Sequence, residues 1–135
     1  MIRLDDLEGH WRLSRVIRDA RAGITGRFEG ACVWRPDARG LVQEETGLLH
    51  YGAAPPMQAA RRYLWRAEGA ELQVFFDDGR PFHIVPRGGA EALHDCPPDI
   101  YRVRYDFDDA AEFRTSWHVT GPRKDAVIDS HFIKA

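Results

Sequence analysis

The chain has 135 residues, of which 44% are hydrophobic and 30% charged, enough to bury one core and short for two, so one domain over residues 1–135 is expected. Its formal net charge is −2 with acids and bases interspersed, which leaves no broad basic face to release counterions from a phosphate backbone and argues against a nucleic-acid partner. No stretch approaches the roughly 20 apolar residues of a membrane-spanning helix, and Met1 to Glu8 has no apolar run behind a basic segment, so neither a membrane nor a secretory signal is expected.

Turn signals recur along the chain at Gly23 and Gly26, Pro36 to Gly40, Gly52 to Pro56, Gly69, Asp78-Gly79, Gly88-Gly89, Pro97-Pro98, Asp108-Asp109 and Gly121-Pro122. Such punctuation about every 8–12 residues is the pattern of an antiparallel sandwich or barrel. After a short N-terminal helical turn, the first strand pattern is Gly9 to Ile17, with Trp11, Leu13 and Ile17 on one face, His10, Arg12 and Ser14 on the other, and Arg15 on the apolar face. Phe28, Gly30, Cys32 and Trp34 share a face in the second. Glu45 and Gly47 fall in phase with Leu49 and Tyr51 in the third. From Met57 to Ala67, Tyr63 and Trp65 alternate with Arg62 and Arg66, while Ala59 to Arg62 is also compatible with the start of a helix.

The next stretch, Phe75 to Tyr105, carries the densest chemistry. Asp78-Gly79 between Val74–Asp77 and Pro81–Val85 predicts a tight hairpin, because the turn needs the positive φ that glycine supplies. Beyond it, Tyr101, Val103, Tyr105 and Phe107 alternate with Arg102, Arg104 and Asp106; Phe113, Thr115, Trp117 and Val119 alternate with Glu112, Arg114, Ser116 and His118. A final apolar run spans Ala126 to Ile133. About ten strands in so short a chain predict an all-β fold closed into an up-and-down antiparallel barrel, an architecture that leaves room for one small ligand.

The opening Leu7-Glu8-Gly9-His10-Trp11, with Gly-x-Trp at the head of the first strand, resembles the start of the lipocalin, or calycin, superfamily, in which that Trp packs across the closed end of the barrel. Together with Phe75 to His83, His94 to Tyr101, and Trp117 with Gly121-Pro122-Arg123-Lys124, it is similar to an uncharacterised bacterial family of lipocalin-like proteins, over nearly the whole chain. The resemblance implies the fold and assigns no activity. It matches the basic residue that stacks on the Trp to Arg123 or Lys124. The Thr-Asp-Tyr motif of secreted lipocalins is absent, and the last strand has no Arg-x-Tyr pair of the kind intracellular fatty-acid binders use. With only Cys32 and Cys96 there is no disulfide framework, so a cytoplasmic setting is expected, although one bridge between the two stays open.

Two constellations follow. Arg15, Glu45, Tyr63, Tyr101, Tyr105 and Thr115 all fall in phase with apolar neighbours. An inward Arg needs a partner, so either Glu45 or a ligand anion must neutralise Arg15. With Trp117, and with Trp11, Phe28 and Trp65 as walls, these residues are the expected lining of a site for a small, partly apolar molecule. The second set is His83, His94 and Cys96, with Asp99 to orient an imidazole, which would suit a small hydrolase, an isomerase or zinc-assisted catalysis. No CxxC or HExxH spacing supports it, so no metal is assigned and the cofactor is open. Asp99 and His94 are otherwise expected to brace the Pro97-Pro98 loop, Asp99 through backbone N–H groups. His131, or another His, is the candidate ligand for a haem of the nitrobindin type.

Overall fold

A computed structural model describes residues 2–135. After a four-residue helix, α1 (Leu4–Leu7), come ten strands: β1 (Gly9–Asp19), β2 (Ile24–Pro36), β3 (Leu41–Tyr51), β4 (Met57–Glu68), β5 (Glu71–Phe76), β6 (Pro81–Ile84), β7 (Ala92–Cys96), β8 (Asp99–Asp109), β9 (Glu112–Gly121) and β10 (Lys124–Lys134). Each is antiparallel to its sequence neighbour except at β6 and β7, and β1 pairs with β10, giving the order β6-β5-β4-β3-β2-β1-β10-β9-β8-β7. The meander therefore closes through the chain's two ends. Its one open seam lies between the short strands β6 and β7, which share no ladder.

The two-residue period sorts the side chains as the alternation predicts. Trp11 and Leu13 on β1, Phe28, Cys32 and Trp34 on β2, Trp65 on β4, Val103 on β8 and Phe113 on β9 are buried. Met57 to Glu68 is strand throughout, so the helical alternative at Ala59 to Arg62 is not taken. Tertiary pairing decides this, because both edges of β4 are filled by β3 and β5. The Asp78-Gly79 hairpin is present with a longer loop than a two-residue turn. Phe76 N–H donates to Arg80 C=O at 2.8 Å, Gly79 N–H donates to Phe76 C=O at 2.9 Å, and Gly79 takes φ of 89°. The register shifts between Val74 and Phe75, which accommodates the extra residues.

One end of the barrel is plugged. Trp11 Nε1–H donates to the Leu7 carbonyl at 2.8 Å, the indole meets Phe113 edge-on at 5.3 Å, and Leu7 is fully buried. The cation over the Trp11 ring is Lys134, its Nζ 5.5 Å from the centroid and donating to Asp6 C=O at 2.9 Å. This corrects the assignment of that role to Arg123 or Lys124. Lys124 starts β10 and Lys134 ends it, so Lys124 sits at the opposite end of the barrel, where its Nζ lies 3.0 Å from Asp99 Oδ2.

Candidate functional site

Between the plugged end and the other rim, inward side chains enclose a cavity of about 180 Å³. Arg15, Glu45, Tyr63, Tyr101, Tyr105 and Trp117 all line it, with Phe28, Trp65 and Thr115. Trp11 does not; it lies below, in the plug. Phe82 forms the ringed wall on the β6 side, stacked on Trp117 at 4.9 Å and on Tyr63 at 5.7 Å.

The polar lining is a connected network. Arg15 Nη1 and Nη2 donate to Glu45 Oε1 and Oε2 at 2.9 and 3.0 Å, and Arg15 Nε donates to Ser130 Oγ at 2.7 Å. Gln43 Nε2 donates to Glu45 Oε2 at 3.0 Å, and Trp65 Nε1 donates to Gln43 Oε1 at 2.7 Å. Of the two partners the sequence leaves open for Arg15, the structure contains Glu45. A two-pronged pair whose guanidinium also bonds Ser130 and whose carboxylate also accepts from Gln43 is the form in which charges tolerate burial.

His83, on β6, is 8% exposed. Its Nε2 lies 2.8 Å from Tyr105 Oη, whereas its Nδ1 is buried with no protein partner. Burial, helped by the charge of nearby His94, lowers the imidazole pKa from 6.5 to about 3. Burial likewise raises the Tyr105 phenol well above its ordinary range, with Tyr63 and Glu45 adding to it. At neutral pH the imidazole is therefore uncharged and the phenol protonated. Proton transfer works best when a group titrates near the working pH, so this pair is equipped to hydrogen-bond a bound molecule rather than to exchange protons with it.

The second predicted constellation does not assemble into a donor set. Phe82 abuts both His83 and His94, with ring centroids 4.6 and 5.2 Å away. His94 is half-buried and faces Tyr101 across the β7–β8 ladder, while Cys96 is exposed. The described residues hold no group of three or more His, Cys, Asp or Glu placed for a metal ion. Asp99 takes Lys124 as its partner, and no backbone N–H of the Pro97-Pro98 loop donates to its side chain among the described residues, correcting its expected bracing role. Cys32 is buried and both cysteines are free thiols. His131 lies out of phase with the inward residues Ser130 and Phe132 and is tied to Glu112, Nε2 to Oε1 at 2.7 Å. It therefore faces away from the cavity and cannot ligate anything held there.

Gln43, Arg61 and Phe82 are among the lining residues that escaped the sequence reading. Gln43 precedes Glu45 by one strand period, and Arg61 precedes Tyr63 by one. Phase alone was the available signal.

Among solved structures, a protein of unknown function from the DUF3598 family of Nostoc punctiforme superposes with a TM-score of 0.63 at 10% identity, over 100% of this chain and 50% of that one. This chain thus spans about half the length of that relative. The S-type phycobiliprotein lyase of Guillardia theta superposes with a TM-score of 0.62 at 8% identity, over 98% of this chain and 90% of that one. At such identities the likeness is one of fold, and it places the barrel among calycin-like folds. No curated protein sequence matches significantly. The profile of a family of unknown function, DUF6314, matches residues 7–134, and the chain belongs to that family.

Proposed function

We propose that the protein holds a small, partly apolar molecule inside its barrel, contacted by Arg15, Glu45, Tyr63, Tyr101, Tyr105 and Trp117. The observation that carries this reading is His83 Nδ1, buried without a protein partner on a side chain that lines the cavity. A buried polar atom left unpaired costs about 1–3 kcal/mol, and a bound hydrogen-bonding group removes that cost. The size fits a compact guest. A cavity of about 180 Å³ is slightly larger than the roughly 150 Å³ known to admit benzene. The rings supply apolar contact, and the few fixed polar groups supply orientation.

The test is thermal unfolding with a panel of single-ring compounds. A ligand present at about 100 times its dissociation constant stabilises the native state by roughly 2.7 kcal/mol, a shift of several degrees. Ala59→Trp, which pushes an indole into the lining, should abolish the shift while the variant still unfolds cooperatively. Compounds that stabilise wild type and Ala59→Trp equally would place binding outside the barrel and sink the proposal.

A further inference from the structure

Arg61 is the cation of the cavity that no carboxylate neutralises. It shares the inward face of β4 with Ala59, Tyr63 and Trp65, all of which line the cavity. Across the β3–β4 ladder its partner position is Glu45. The Glu45 carboxylate, however, turns the other way, giving both oxygens to Arg15 at 2.9 and 3.0 Å and one also to Gln43 at 3.0 Å. What remains to Arg61 is a contact of 3.5 Å from Nη1 to Tyr63 Oη, well beyond the roughly 2.9 Å of a full-strength N–H···O bond. The neighbouring outward arginines fare differently: Arg62 has Glu44 at 3.7 Å and Asp77 at 3.9 Å, and Arg66 has Asp37 at 2.9 Å. Among the described residues, Arg61 makes no ion pair. Within the lining, the charges of Arg15 and Glu45 cancel, leaving the single positive charge of Arg61.

That charge sits where it can be used. Arg61 is exposed yet lines the cavity, which places its guanidinium at the rim, with one side in water and the other against low-dielectric walls that focus its field inward. A planar guanidinium matches the two oxygens of a carboxylate. Next to it the wall is aromatic, built of Tyr63, Phe82 and Trp117. We propose that the cavity takes a carboxylate-bearing ligand with an apolar body about one ring in size, its carboxylate held by Arg61 at the mouth and its ring against Tyr63, Phe82 and Trp117. One net positive charge matches a monoanion, whereas the dianion of a phosphate monoester would carry a surplus negative charge into the site. The inference rests on the cavity-binding proposal above and adds to it the ligand's charge and its orientation.

Isothermal titration of wild type, Arg61→Gln and Arg61→Lys with 3-phenylpropionate, 3-phenylpropanamide and phenyl phosphate tests both layers separately. The expected result is that wild type binds the acid roughly tenfold more tightly than the amide, the scale of one charge-assisted hydrogen bond. Arg61→Gln should lose that roughly tenfold preference while binding the amide as wild type does, which also shows that the variant is folded; Arg61→Lys should keep part of it. If Arg61→Gln binds the acid undiminished, or wild type prefers the amide or the phosphate, the assignment of Arg61 to a carboxylate is overturned while cavity binding stands. If none of the three binds wild type, both are overturned for a guest of this size.

Discussion

Arg15 of β1 and Glu45 of β3 grip each other inside the barrel at 2.9 and 3.0 Å, reaching over β2, which lies between them in the sheet. The Glu45 side chain is 3% exposed and that of Arg15 15%, so removing either partner strands a charge away from water. Glu45→Leu and Arg15→Met should each destabilise the fold by about 3–5 kcal/mol, whereas the double variant Arg15→Met/Glu45→Leu should lose far less than the sum. Urea unfolding of the four proteins of this cycle gives the coupling directly. Strict additivity would mean that the pair is incidental to stability.

The buried His83 makes stability depend on pH. In the unfolded chain it binds a proton below its ordinary pKa of 6.5, but in the folded protein only below about 3. Between those values the unfolded state holds more protons, so the contribution is fully present above pH 6.5 and is lost as the pH falls, by at most about 1.4 kcal/mol per unit. His83→Gln keeps a polar side chain beside Tyr105 and cannot titrate. Its urea midpoint should therefore fall less steeply than that of wild type between pH 6.5 and about 4.5, above most carboxylate titration. Parallel curves for the two proteins would assign the slope to other groups.

Gly30 and Gly47 face each other on the β2–β3 ladder. A Cβ on Gly30 would collide with the Thr46 carbonyl and stand 2.7 Å from Gly47 Cα; one on Gly47 would collide with the Glu29 carbonyl. Neither residue has positive φ, so the constraint is space and not backbone conformation. The two strands approach closely at this pair, the kind of contact that glycine in a strand permits. Gly30→Ala and Gly47→Ala should each destabilise by about 1–3 kcal/mol. Thermal melts decide this, and a variant as stable as wild type would show that the two strands can move apart.

How far the sequence discloses this structure depends on where its information is local. On β8 and β9 the inward residues, Thr115 apart, are apolar or aromatic and the outward ones mostly charged, so the strand period and the facing of Tyr101, Tyr105 and Trp117 are legible. β4 hides the decisive residue. Arg61 and Arg62 are adjacent and chemically identical, yet one points in and the other out, and a pair of arginines reads as a solvated surface. The phase of Tyr63 and Trp65 singles out Arg61 only once a strand is assumed. Glu45 could be placed inward by phase, but its choice of Arg15 over Arg61 is settled in three dimensions. So is the fate of His83, His94 and Cys96, because whether residues on β6 and β7 converge depends on how the unpaired seam is spaced.

The two thiols should report that same difference between inside and outside. Cys32 is buried and Cys96 exposed, and burial, together with the nearby Glu45 charge, pushes the Cys32 thiol well above its ordinary range. A thiolate is the reactive form. Native protein should therefore react with a disulfide reagent at one thiol, Cys96→Ser at none, and urea-unfolded protein at two. Rapid labelling of both in the native state would show that the core around Cys32 opens readily.

Gln43 links the ringed wall to the charged pair, since its amide oxygen accepts from Trp65 Nε1 at 2.7 Å and its amide nitrogen donates to Glu45 at 3.0 Å. It is 6% exposed, so neither partner can turn to bulk water if it is lost. Gln43→Leu preserves the approximate volume while leaving an indole N–H unpaired and a carboxylate one donor short, which should destabilise by about 1–3 kcal/mol. Gln43→Glu should be worse, because it sets a second carboxylate beside Glu45 in a site of low dielectric where like charges repel strongly. The second loss should shrink as the pH falls and one of the two acids takes up a proton, while that of Gln43→Leu should not. Urea unfolding of both variants at pH 7.5 and 5 separates the cases. An identical response to pH in the two would show that water reaches Glu45 and that the cavity floor is wetter than its packing indicates.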